Sequence, residues 1–178
     1  LRRLEYRGYD SAGIAFKRNR SIISAKTLGG VDQLSKKIKT NLDQSTLGIA
    51  HTRWATHGEP HEKNAHPHNS KDIFVVHNGI IENHEDLRSK LRAEGVRFSS
   101  QTDTEVIAHL IQTFIEKGKS FEQAIISTTK ELRGAYALGI IDKNNPESLI
   151  GVRNQSPLVV GRGFEENYVA SDILALAP

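Results

Sequence analysis

Polar side chains crowd residues 51–85, and seven of the eight histidines fall there: His51, His57, His61, His66, His68, His77 and His84. Taken singly, each is most simply a solvated ring or one satisfied by the backbone. His61-Glu62 followed by His66 comes near the zinc pattern H-E-x-x-H, whose histidines must be four apart to share a helical face. Here they are five apart, about 140° round a helix, and Pro60 and Pro67 flank the segment. No metal or other cofactor is therefore expected.

A second chemistry is amino-acid recognition. Arg53, in His51-Thr52-Arg53-Trp54-Ala55-Thr56-His57-Gly58, offers a planar fork that can hold a carboxylate with two parallel bonds. Asp103 precedes a helical pattern and could receive an ammonium. The plainer readings are a structural ion pair for Arg53 and dipole complementation for Asp103. A third feature is His77-Asn78-Gly79-Ile80. Asn-Gly is first a turn signal. It also brings a side-chain amide beside a glycine whose N–H can approach a substrate closely, two donors suited to an oxyanion.

The surrounding pattern must position these groups. Residues 1–6 read as the end of a helix, and residues 13–16 and 21–26 as two strands joined by a charged turn. Val31, Leu34 and Ile38 recur at helical spacing. A short strand at 47–50 leads into the polar loop that holds Arg53. The apolar run 73–76 suits a strand buried on both faces and ends at His77. Asn83 can cap a helix reaching about Ala93, with Gly95 closing it. Thr102-x-x-Glu105 and Ser120-x-x-Gln123 read as capping boxes opening two more helices. After Gly134, segments 135–141, 148–152, 157–160 and 168–170 read as strands whose short connections make them antiparallel neighbours. Strands, then helices, then strands suggest an α+β protein, and a four-layer α/β/β/α sandwich of antiparallel sheets fits that order.

The totals narrow the classes. The chain has 178 residues, a formal net charge of +3, and Lys and Arg scattered rather than clustered. That argues against nucleic acid, which needs grouped cations. No apolar run approaches a membrane span, and the first residues lack the apolar core of a signal peptide. A cytoplasmic protein is expected. There is no cysteine, hence no disulfide and no thiolate metal site. Leu1 at the start and an apolar stretch before Pro178 suggest a piece of a longer protein.

Five motifs occur in order: Arg7-Gly8-Tyr9-Asp10-Ser11-Ala12-Gly13, residues 51–60, Asn64-Ala65-His66-Pro67-His68, residues 77–83, and Thr102-Asp103-Thr104-Glu105. Together they resemble the class II glutamine amidotransferases, which have the N-terminal-nucleophile hydrolase fold. The details are most similar to the branch that makes glucosamine 6-phosphate. The resemblance implies that Arg53, with Thr56 and His57, clamps the α-carboxylate of L-glutamine or L-glutamate, and that Asp103 meets the α-ammonium. It implies an oxyanion hole at Asn78 and Gly79, an ammonia gate at Trp54, and supporting roles for Arg7 and His66. It implies residues 1–178 as one such domain, sugar-isomerase domains as partners in the parent chain, and a homo-oligomeric full-length enzyme.

The family's nucleophile is a cysteine at the mature N-terminus, and this chain has none. The domain is expected to lack its N-terminal strand and nucleophile, and so to be inactive as it stands. The alternative is a non-catalytic amino-acid-binding module.

Overall fold

The computed structural model describes the chain except residues 39–41, 43, 44 and 178. A short 3-10 helix, Arg2–Arg7, stands where the sequence suggested the end of an ordinary helix. Strands β1 (Ser11–Arg18) and β2 (Ser21–Leu28) form a hairpin that turns through Asn19 at φ 54°. Helix α1 (Val31–Lys37) follows and buries Leu34. Strand β3 (Gly48–Arg53) pairs antiparallel with β1, giving the sheet order β2-β1-β3. Among the described residues no strand pairs with the outer edge of β3.

The second sheet has the order β4-β5-β6-β7, from β4 (His68–Ser70), β5 (Ile73–Gly79), β6 (Tyr136–Asp142) and β7 (Leu149–Asn154). All its neighbours are antiparallel. Strands β8 (Val159–Arg162) and β9 (Asn167–Ala170) make a separate hairpin. Between β5 and β6 the chain forms α2 (His84–Ala93), α3 (Glu105–Glu116) and α4 (Phe121–Glu131).

Strand alternation decides what each face carries. Ile73 and Val75 of β5, with Leu138 and Ile140 of β6, join Val106, Ile107, Leu110 and Ile111 of α3 in the main core. Each such aliphatic side chain contributes about 1.5–3 kcal/mol by leaving water. The opposite face of the same strands puts Phe74 and Ile141 against Ala15 and Ile49 of the first sheet. The layers therefore run α2–α4, second sheet, first sheet, then α1 over β1 and β2. The four-layer α/β/β/α expectation holds, and the fourth layer is one short helix.

Local signals were met unevenly. Ser120 and Gln123 form the reciprocal capping box. Thr102 does not cap α3, whose N-cap is Thr104 with no side-chain cap bond. Glu105 turns back instead to Ser99 and Ser100. Asn83 stands at the N-cap of α2, but its amide bridges to Glu131 O and Arg133 N. It staples the α2 entrance to the α4 exit.

Gly13 lies in the middle of β1, opposite both Lys26 and His51. A Cβ there would sit 2.0 Å from the His66 carbonyl oxygen. The missing side chain is the space into which the 64–68 segment settles. Gly13→Ala should therefore force main chain apart and cost about 1–3 kcal/mol, read as a lower urea midpoint. An unchanged midpoint would mean the segment moves freely.

Candidate functional site

Strand β3 ends at Arg53 and β5 ends at Gly79, one from each sheet. The turn before α3 brings Thr102, Asp103 and Thr104 to the same place. Between them lies a cavity of about 580 Å³. Its wall includes all nine residues picked from the sequence: Arg7, Arg53, Trp54, Thr56, His57, His66, Asn78, Gly79 and Asp103. The whole of β3 also lines it.

Arg53 is 4% exposed. Its Nη2 donates to the carbonyls of His57 (2.5 Å) and Gly58 (2.9 Å), and its Nη1 lies 3.6 Å from Asp10 Oδ1. The guanidinium thus fastens the loop after β3, which is the structural role left open for it in the sequence. It also borders the cavity, so both readings describe one side chain.

Asp103 is also 4% exposed. Its Oδ2 accepts the Ile81 N–H at 2.9 Å. Its Oδ1 stands 4.0 Å from His57 Nδ1. That ring nitrogen is buried and has no hydrogen-bond partner among the described residues. In the tautomer whose Nδ1 accepts, that nitrogen and the carboxylate oxygen together suit a donor with several N–H bonds, such as an ammonium.

Asn78 faces the first sheet because β5 alternates, and its Oδ1 lies 2.8 Å from His51 Nε2. Gly79 has φ 116°, and a Cβ would meet the Ala135 carbonyl oxygen at 2.1 Å. Only glycine fits there. Trp54 is 60% exposed and meets Tyr9 edge-on at 5.7 Å between ring centres. Thr56 is exposed on the same loop. Arg7 reaches Asp172 at 3.4 Å, and Tyr6 donates to the same carboxylate at 2.9 Å, tying the first turn to the last.

Behind the wall runs a buried polar network. The His77 N–H donates to His66 Nδ1 (3.2 Å), so the His66 proton sits on Nε2 and points to Thr104 Oγ1 (3.3 Å). The Thr104 hydroxyl also lies 2.9 Å from His77 Nδ1. The His66 ring stacks on His51 at 4.2 Å. Glu105 accepts from the N–H and hydroxyl of both Ser99 and Ser100. Burial pushes its carboxyl pKa up, but hydrogen bonds from His109, Ser100 and Ser99 outweigh that and hold it well below the usual range. His66 thus borders the cavity while both of its ring nitrogens are engaged in this network.

Sequence reasoning counted His51 among the histidines without giving it a role, and it missed the Glu105 anchor and the Asp172 tie. His51 was detectable only as the residue two before Arg53, which alternation puts on the same strand face. His61 Nδ1 accepts from Lys63 N, and Glu62 pairs with Lys37 at 2.6 Å. Among the described residues no group of three His, Asp or Glu side chains is set to hold a metal ion.

Two antiparallel sheets face to face between helices, with the cavity running along β3, make the N-terminal-nucleophile hydrolase fold, and two solved amidotransferase-type structures share it. The glutamine phosphoribosylpyrophosphate amidotransferase from B. subtilis, solved with ADP and GMP, superposes with a TM-score of 0.82 at 26% identity. The match covers 99% of this chain and 38% of that one. A second solved protein, described as the allosteric regulatory enzyme of purine biosynthesis, gives 0.79 at 27% identity over 97% of this chain and 38% of its own.

The family model described as "Glutamine amidotransferase domain" matches residues 51–178, and the chain belongs to that family. It is 52% identical to the glutamine–fructose-6-phosphate aminotransferase (isomerizing) of Acinetobacter baylyi and 53% identical to that of Shewanella oneidensis. Each match covers the whole of this chain and 29% of the relative. The chain thus spans less than a third of the length of these curated relatives.

The buried rings make stability depend on acid. Burial, with smaller pushes from His77 and Arg53, lowers His51 to about 4, while its bond to Asn78 works the other way. Burial also holds His66 and His68 well below the ordinary value, reinforced by neighbouring His51 for the first and Lys26 for the second. His77 is lowered by burial against the pull of Asp103. Unfolded histidines take up protons near pH 6.5, and the folded chain resists until lower pH. In that window the unfolded state binds more protons, so falling pH favours unfolding. Stability should be complete above about pH 6.5 and fall steadily toward pH 4, with His51 alone worth at most about 3 kcal/mol. Urea melts across that range test it, and a flat profile would mean that the rings are solvated.

Proposed function

We propose that this chain is the glutamine-binding and ammonia-releasing part of an enzyme that converts fructose 6-phosphate to glucosamine 6-phosphate. The likeness to full-length aminotransferases of that name supports the sugar substrate. The observation that carries the amino-acid half is the pairing of Asp103 Oδ1 with the unpartnered His57 Nδ1, in the cavity that Arg53, Asn78 and Gly79 also line.

In this reading the α-ammonium donates to Asp103 and to His57, which the resemblance had set beside Arg53 at the α-carboxylate; the 4.0 Å between His57 Nδ1 and Asp103 Oδ1 is the reason for the change. Arg53 and Thr56 meet the α-carboxylate, and the loop carbonyls now bonded to Arg53 give up part of its fork. The γ-carbonyl oxygen points at Asn78 Nδ2 and the Gly79 N–H, which stabilise the charge that develops when a thiolate attacks. A thioester forms as ammonia leaves, and water then releases glutamate. Trp54, exposed at the mouth, gates the ammonia. Arg7 and His66 support the wall. The sugar-isomerase part of the parent enzyme consumes the ammonia, and the full-length enzyme is a homo-oligomer.

The attacking thiol must come from a cysteine, and the 178 residues contain none. The chain alone should therefore release no glutamate from glutamine, whereas the same chain joined to an upstream cysteine-bearing segment should. Turnover by the 178-residue chain would refute the assignment. A non-catalytic amino-acid-binding module is the second reading, favoured by that same composition. It predicts binding with no turnover in either form.

Calorimetry should detect glutamine and glutamate binding to the chain. Asp103→Asn should weaken it about tenfold or more through loss of a charge-assisted contact. Arg53→Ala should also weaken it, while lowering stability because its loop is released. Equal isotherms for wild type and Asp103→Asn would remove the ammonium site.

A further inference from the structure

Asn78 can serve an oxyanion only if its NH₂, not its oxygen, faces the cavity. Both ends of a side-chain amide have nearly the same shape, so something must choose between them. The chooser lies on the other sheet. His51 Nε2 is 2.8 Å from Asn78 Oδ1. With the Asn78 oxygen on that side, the bond requires His51 to carry its proton on Nε2 and donate it, because an amide oxygen only accepts. His51 Nδ1 is then bare, and it is buried without a hydrogen-bond partner among the described residues. The opposite tautomer would invite the Asn78 NH₂ backwards and leave an acceptor in the cavity, repelling the charge it should hold.

The ring is not free to swing away. It stacks on His66 at 4.2 Å, and His66 is itself locked by the His77 N–H and Thr104. Gly13, directly opposite His51 on β1, leaves the room that the His66 main chain occupies.

We propose that His51 is a positioning residue that orients the Asn78 amide, so that the cavity selects amino acids carrying a γ-carbonyl or γ-carboxylate. This rests on the amino-acid reading above. It adds a side chain that acts through Asn78 and decides what lies at the far end of the ligand.

The test compares glutamate with norvaline, which has the same zwitterion and chain length but no γ-oxygen. Binding of each to the 178-residue chain is measured by calorimetry. Wild type should prefer glutamate by about tenfold or more. His51→Leu should lose that preference while keeping norvaline affinity. His51→Gln, which can still donate an N–H toward Asn78, should recover part of it. If His51→Leu keeps the preference, or loses both ligands equally in a folded protein, the positioning role is overturned. If wild type binds neither ligand, the amino-acid reading itself falls.

Should His51→Leu fail to fold, nitrogen NMR of the wild-type imidazoles decides. His51 protonated on Nε2 with bare Nδ1 supports the proposal, and the reverse tautomer overturns it.

Discussion

Under the cavity, polar groups have been taken out of water, and most are answered by another protein group, with His51 Nδ1 and His77 Nε2 left over among the described residues. Glu105 is the anchor. Its carboxylate gathers four hydrogen bonds from the Ser99-Ser100 dipeptide, with His109 Nε2 3.4 Å away besides. That dipeptide leads to Thr102, whose hydroxyl lies 3.0 Å from both Ser100 Oγ and His68 Nε2. One residue further Asp103 enters the cavity, and the next, Thr104, joins His66 to His77. Leaving any member unpaired costs about 1–3 kcal/mol, so the members hold one another in place.

Period-two alternation then divides labour along β5. His77 turns toward α3 and joins the buried network, Asn78 turns toward the first sheet and meets His51, and Gly79 ends the strand at positive φ. Three adjacent residues therefore reach three environments. No loop could hold that division with equal economy, because a loop has no neighbouring strand to fix its register. β3 repeats the arrangement, placing His51 and Arg53 on one face two residues apart.

Much of this was legible beforehand. The apolar runs gave strands and helices close to their observed places, since hydrophobic periodicity reflects burial directly. Short polar motifs marked Arg53, Asn78, Gly79 and Asp103, the family resemblance added Arg7, Trp54, Thr56, His57 and His66, and all nine line one cavity. The failures share a physical cause: the sequence shows what a side chain can bond to, not which partner is near. Thr102-x-x-Glu105 looked like a reciprocal cap, yet Glu105 found the serines behind it. Arg53 looked like a choice between ion pair and clamp, yet the main chain of its own loop takes its shortest bonds. The three-residue β4 carries two buried polar side chains, His68 and Ser70, and so had no apolar pattern to betray it.

The outer edge of β3 offers a row of main-chain donors and acceptors with no strand beside it among the described residues. Such an edge welcomes any extended peptide of suitable length. Two copies of the chain meeting there could knit into a shared sheet. At high concentration such an edge favours association of copies, along the side of the cavity that β3 lines.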